Sequence, residues 1–299
     1  MNRRDVQNVN SRLLDIYCGI CFNQAIFEEG ESVALSYAFD CPEFSQLKSR
    51  YPLEKVAGRG GDFERALRLC RWLAPRLVHK GNFDNSVPCN ALDLLDYSFE
   101  KPEFGINCVN KAKILAECCL ALNIHARRVW MFPNSPYDMD NHVVTEIYDR
   151  KREKWIALDP TEGGYFSDGT QPLSCLELRK AFADRSPASV VLNRQKPSQI
   201  RELQGRNIEL NSYYAKNSFY FALETIAAFG TPERSEFVYI LPLGFDVKRS
   251  EVRKMEYVLS LAREGNWPAE EIRRIEEYGA SLQDAPLPRI ASTHVWDGI

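Results

Sequence analysis

The chain has 299 residues, 44% of them apolar, with 38 basic and 41 acidic side chains and a formal net charge of −3. Length and composition describe a folded globular protein with room for one large domain or two small ones, and exclude a disordered chain. The charges are spread without a Lys/Arg block, which argues against a nucleic-acid partner, and no apolar run has membrane-spanning length, so no membrane partner is expected.

Residues 1–10 are polar and are expected to be loose. An amphipathic helix is expected from Leu13 to Phe27, ended by Gly30. Its apolar stretch is broken by Asp15 and Asn23, which makes a poor export signal. Nine cysteines, an odd number without such a signal, point to reduced thiols and a cytoplasmic location. The helix carries a CxxC at Cys18 and Cys21, with no second ligand pair for a zinc site and no βαβ context for a redox site. Two thiols on an apolar helix face explain it better. Residues 1–50 thus form a helical lead-in to a core expected over 51–196.

"VAGRGGDF" is a turn-rich break, with Asp62 placed to cap a helix through Leu67, Leu73 and Leu77 that Pro75 should kink or end early. "NALDLLDYSFE" is a short helix, and a third begins at Cys108. Cys70, Cys118, Cys119 and Cys175 have apolar helical neighbours, as small core side chains do. After the Cys108 helix the period changes. "ARRVWMF", "HVVTEIYD" and "KWIALD" are strands, with "PNSPYDMDN" and "PTEGGYFSDG" as loops. In "PLSCLELRKAFAD", Ser174 and Glu177 have capping-box spacing. Beyond Pro197 the chain turns helical again, including the aromatic "SYYAKNSFYFALETIAAFG" and a charged helical hairpin after the strand-like "EFVYILPLGF". Residues 197–299 are therefore expected to be mostly helical, either within the same domain or as an appendage.

Cys108 opens its helix behind Gly105 and Asn107. The unpaired N–H groups at a helix start stabilise a thiolate over a thiol and can face a developing oxyanion. A thiol nucleophile also needs an imidazole, and the imidazole a third group to fix it. With a two-residue loop at Arg150–Lys151, or a four-residue one at Asp149–Arg152, His142 falls directly opposite Asp159 on one sheet face, with Cβ atoms about 5 Å apart. A three- or five-residue loop would put them on opposite faces. Each residue also has an ordinary explanation: a capped helix, a strand-opening histidine, an Asp-Pro turn. The order Cys, His, Asp, with the last two in register, is what raises the chemical reading.

"GINCVNKAKILAECCLALNIHARRVW", "NHVVTEIYD" and "KWIALDPT" resemble the three core motifs of the transglutaminase-like superfamily, whose fold is related to papain. The resemblance covers about Tyr51 to Phe182 and implies an α+β fold, with the nucleophile at a helix N-terminus packed on an antiparallel sheet and further helices around it. It also implies a Cys-His-Asp triad, with Cys108 as nucleophile, His142 as base and Asp159 as its orienting partner. The Trp or Gln that helps hold the oxyanion in parts of the superfamily has two candidate counterparts, Trp72 and Asn107. Trp72 is better explained as core, and Asn107 equally well as a helix cap. Animal relatives depend on calcium; no acidic loop of EF-hand spacing occurs here, so neither a metal nor a cofactor is expected.

Four readings follow. The first is hydrolysis of a peptide or amide through a thioacyl-enzyme, water being the default acceptor. The second is amide formation with an amine acceptor, the donor being an amide or a thioester, including one held on a carrier protein. The third is a non-catalytic interaction protein that binds through "SYYAKNSFYF" and the C-terminal hairpin, a segment that in an enzyme would line the cleft. The fourth is a CxxC redox protein at Cys18 and Cys21.

Overall fold

The computed structural model describes residues 3–101, 103–186, 189–191 and 200–299. The expected boundary at 196/197 lies outside the described residues. Five helices lead in: α1 (Arg3–Asn23), α2 (Pro42–Arg50), α3 (Leu53–Ala57), α4 (Asp62–Leu73) and α5 (Ala91–Glu100), with a two-residue strand β1 (Ser36–Tyr37) between the first two. Then come α6 (Cys108–Leu120) and the strands β2 (Ala126–Phe132), β3 (His142–Asp149), β4 (Lys154–Asp159) and β5 (Gly164–Ser167). Next are α7 (Cys175–Ala183), β6 (Ser189–Val191), α8 (Ile200–Asn217), β7 (Tyr220–Glu224), β8 (Ile226–Ala227) and β9 (Phe237–Ile240). The hairpin α9 (Val247–Glu264) and α10 (Ala269–Asp284), then β10 (Arg289–Ile290) and a short 3-10 helix (Thr293–Trp296), complete the order. No described helix is long and apolar enough to cross a membrane.

The fold is α+β, with an eight-stranded sheet in the order β10-β9-β7-β2-β3-β4-β5-β6, antiparallel except for β10 on β9. Helix α6 packs on β2 and β3 on one side and against α2, α4 and α5 on the others. Every residue from Asn110 to Leu120 is consequently buried. A helix without a solvent face must partner its own polar groups, since an unpaired buried charge costs several kcal/mol. Lys113 and Glu117 meet at 3.0 Å, and Glu117 also accepts from Ala91 N and Gly230 N. Those bonds tie α5 and the 228–230 turn to α6.

Several expectations need correction. The first helix runs from Arg3 to Asn23, so it starts inside the stretch expected to be loose and ends before Ile26 and Phe27; Phe27 leaves it to bridge Pro242. Asp62 is the first residue of α4 rather than its cap; Gly61 holds that place, and the carboxylate binds the Arg150 guanidinium in a bidentate pair at 2.7 Å. Within the expected "PTEGGYFSDG" loop, Gly164–Ser167 is a strand paired with β4 and β6, and it buries Phe166. The aromatic segment is helical only to Asn217; from Tyr220 it is β7, paired with both β2 and β9. The last hundred residues therefore contribute three strands, β7, β9 and β10, to the sheet that carries β2–β4.

The β3–β4 loop is Arg150–Glu153, with Glu153 in the left-handed region at φ 52°. It has four residues, but it starts one position later than expected, so Asp149 pairs with Lys154 and Thr145 with Leu158. The register is thus two residues away from the one that sets His142 opposite Asp159. Because strand side chains alternate with period two, a shift of two keeps both on the same face. Asp159 lies diagonal to His142 instead of facing it.

Candidate active site

The segment entering α6 is pinned from one side. Ile106 forms a parallel bridge with His79, through Ile106 N to Val78 O and Lys80 N to Ile106 O, both at 3.0 Å. Gly105 makes the close approach possible, with φ +67° and only 3.1 Å between an ideal Cβ position and Val78 O. Asn107 then caps α6, its Oδ1 accepting from Asn110 N at 3.1 Å while its Nδ2 donates to Asn85 Oδ1. The next residue, Cys108, is partly exposed at the first position of the helix.

His142 opens β3 and Asp159 closes β4; they are 3% and 0% exposed. His142 Nε2 and Asp159 Oδ2 are 2.8 Å apart. Cys108 acts on His142 as a hydrogen-bond partner and as a neighbouring charge. With Nε2 committed to Asp159, Nδ1 is the ring nitrogen left for Cys108. The other carboxylate oxygen, Oδ1, accepts from Thr161 N at 2.7 Å and Glu162 N at 3.4 Å, so the Asp-Pro-Thr turn satisfies its own carboxylate. Tyr214 donates its hydroxyl to Oδ2.

Burial alone would push the His142 imidazole down and the Asp159 carboxyl up. Their mutual attraction reverses both, raising His142 to about 10 and lowering Asp159 to about 2, helped by Cys108 on the first and by Tyr214 and Thr161 on the second. Burial lowers the Lys111 ammonium one turn beyond Cys108, against the pull of Asp159, Glu162 and Cys108. Burial likewise lowers the His79 imidazole, together with the charges of Lys111 and His142.

Cys108, His142 and Asp159 thus converge from α6, β3 and β4. Asn107 stands beside them as a cap whose amide nitrogen is already engaged with Asn85. Trp72 lies on α4, edge-on to Phe99 at 6.1 Å with the Arg76 guanidinium over its ring; these contacts belong to the α4–α5 packing. The CxxC thiols are buried between α1 and α8, Cys21 Sγ lying 3.9 Å from Ala215 O, and burial raises both.

Tyr213 and Tyr214 were not individually legible as site residues. Their rings lie 5.4 and 5.6 Å from the imidazole, at 73° and 66° to it. The available signal was the aromatic density of "SYYAKNSFYF", which marks a cleft wall without saying which ring touches what. Tyr213 O–H also reaches toward Asp140 Oδ1 and Asn141 O, in the loop that precedes His142.

No curated protein and no solved structure is matched by this chain. Residues 50–160 match the model of the transglutaminase-like superfamily, a fold generally used by cysteine enzymes for acyl transfer or hydrolysis. That stretch contains Cys108, His142 and Asp159, and over it the chain is similar to the transglutaminase-like superfamily.

Proposed function

We propose that the protein catalyses cysteine-dependent acyl transfer, with hydrolysis of a peptide or amide as the reaction. The observation that carries this is the buried 2.8 Å link between His142 Nε2 and Asp159 Oδ2, with Cys108 close enough to act on the same imidazole. In this reading the Cys108 thiolate attacks the substrate carbonyl carbon, forming the C–S bond and a tetrahedral oxyanion. Asn107 occupies Asn110 N, which leaves the Cys108 and Val109 N–H groups at the start of α6 for that oxyanion. His142, as imidazolium, gives its proton to the leaving nitrogen as the C–N bond breaks. The neutral imidazole then takes a proton from water, which attacks the thioester carbon and releases the acid and the thiolate. Asp159 holds the ring and stabilises its charged form throughout.

The same thioacyl-enzyme would yield an amide if an amine replaced water, and a thioester donor, including one on a carrier protein, would enter by the same attack. The test is peptide-resolved iodoacetamide labelling of wild type, His142→Ala and Asp159→Ala across pH, which reads the nucleophile before a substrate is known. Preferential labelling of Cys108 that slows in both variants supports the reading. Equal, ordinary thiol behaviour in all three proteins would favour an interaction protein. Acyl-enzyme trapping with p-nitrophenyl acetate, with and without a fluorescent alkylamine, then separates water from amine as acceptor.

A further inference from the structure

A side chain from outside residues 50–160 reaches the buried carboxylate. Tyr214, near the end of α8, is 1% exposed, and its hydroxyl donates to Asp159 Oδ2, the oxygen that also holds His142 Nε2. Its ring is fixed by Phe166 at 4.7 Å and 79° and by Tyr213 at 5.6 Å and 74°. Burial beside a carboxylate pushes the phenol well up, so it remains a donor wherever Asp159 is ionised.

A second donor on the same oxygen has two consequences. It fixes the carboxylate against rotation, since Oδ1 is already held by the Thr161 turn. It also stabilises the anion, and so tempers the pull that Asp159 exerts on the imidazolium. An imidazolium held too firmly by its carboxylate would be a poor proton donor to a leaving group.

We propose that Tyr214 is a positioning residue of the acyl-transfer site, setting the orientation of Asp159 and, through it, the readiness of His142 to release its proton. This rests on the acyl-transfer reading above. Other titratable groups act on the same pair. Cys108 and Lys111 face it from α6 and His79 from the flanking segment, while Asp140 acts on His79 and Tyr213, and Glu162 on Lys111 and Tyr214. Cys70 lies behind it on α4, with its Sγ 3.4 Å from Asp159 O; Cys175 on α7 is influenced by Asp159, and Tyr213 by both Asp159 and Cys108. None of these except Tyr214 is a second side-chain donor to Asp159 Oδ2 among the described residues.

The experiment is an NMR titration of the His142 ring in the full chain, comparing wild type with Tyr214→Phe and Tyr213→Phe. Removing the Tyr214 hydroxyl should move the imidazolium midpoint upward by at least about 0.5 pH unit. Tyr213→Phe, whose hydroxyl faces Asp140 and Asn141, should leave it in place. An unmoved midpoint in Tyr214→Phe, even with a lowered melting temperature, would reduce Tyr214 to a packing residue, as would an equal shift in both variants. Should Tyr214→Phe not fold, 3-fluorotyrosine placed at position 214 supplies a stronger donor of nearly the same shape. It should move the midpoint down, and no movement overturns the proposal. Failure of the underlying reading looks different: Cys108 alkylation in wild type would then be indifferent to His142→Ala, and the positioning role would fall with it.

Discussion

Cys108 and the pair Cys118–Cys119 share one helix, about three turns apart. Cys118 and Cys119 are wholly buried in the cluster that joins α6 to α2–α5, and burial raises both thiols. Cys108 is partly exposed at the helix start, beside an imidazole that is itself held by a carboxylate. Residue type and secondary structure are the same, so neither decides reactivity. What differs is whether a charged sulfur would have partners: N–H groups and an imidazolium at one end, apolar side chains at the other.

That contrast can be broken in graded steps. Cys108→Ala should abolish acyl-enzyme formation from p-nitrophenyl acetate, read by intact mass, while Cys119→Ala should leave it unchanged. In the native protein at pH 6.5, Cys108 should be alkylated about 100-fold faster than Cys118 or Cys119, and His142→Ala should remove most of that advantage. Comparable rates at all three thiols would mean that the helix start confers nothing.

The pH dependence of stability tests the pair behind Cys108. His142 is raised from 6.5 to about 10, so its contribution is complete below pH 6.5 and is lost as pH rises toward 10. Asp159 is lowered from 3.8 to about 2, so its contribution is present above pH 3.8 and is lost as pH falls toward 2. The melting-temperature gap between wild type and His142→Ala should therefore be widest between about pH 4 and 6.5 and should narrow toward pH 10. A gap that is constant with pH would mean that the pair is uncharged or uncoupled.

Smaller effects belong to the packing end. Cys119→Ala should cost about 1 kcal/mol in denaturant unfolding through the small cavity it leaves, with Cys108 alkylation unaltered. Trp72→Phe should change turnover by less than about threefold, because Phe99 and Arg76 account for its contacts. A loss of about 100-fold would instead make it an oxyanion donor.

Much of the core was legible because local signals agreed. Asn107 preceding an apolar helix, the capping box of Ser174 and Glu177, and three β-rich runs each specify their own element within a few residues. Other elements depended on distant partners. Gly164–Ser167 sits among glycines and turn residues, and it is a strand because β4 and β6 lie on either side of it. The aromatic run that would continue α8 becomes β7 because β2 and β9 offer open ladders to it. The hairpin lies between these cases. Loop parity could be deduced from sequence, but the two-residue difference in register depended on where the turn settled, with Glu153 left-handed and Asp149 paired to Lys154.

The sequence by itself determined that a thiol, an imidazole and a carboxylate would stand at a helix start and at the ends of two neighbouring strands. Those are matters of capping, periodicity and parity, which act over a few residues. Only the tertiary structure decided that Asp159 lies diagonal to His142, that Trp72 packs with α5, and that Tyr214, from a helix beyond the matched core, places its hydroxyl on the same carboxylate oxygen. Such contacts join residues far apart in the chain, and their geometry is set by how helices and sheet pack around a buried α6, which no local pattern records.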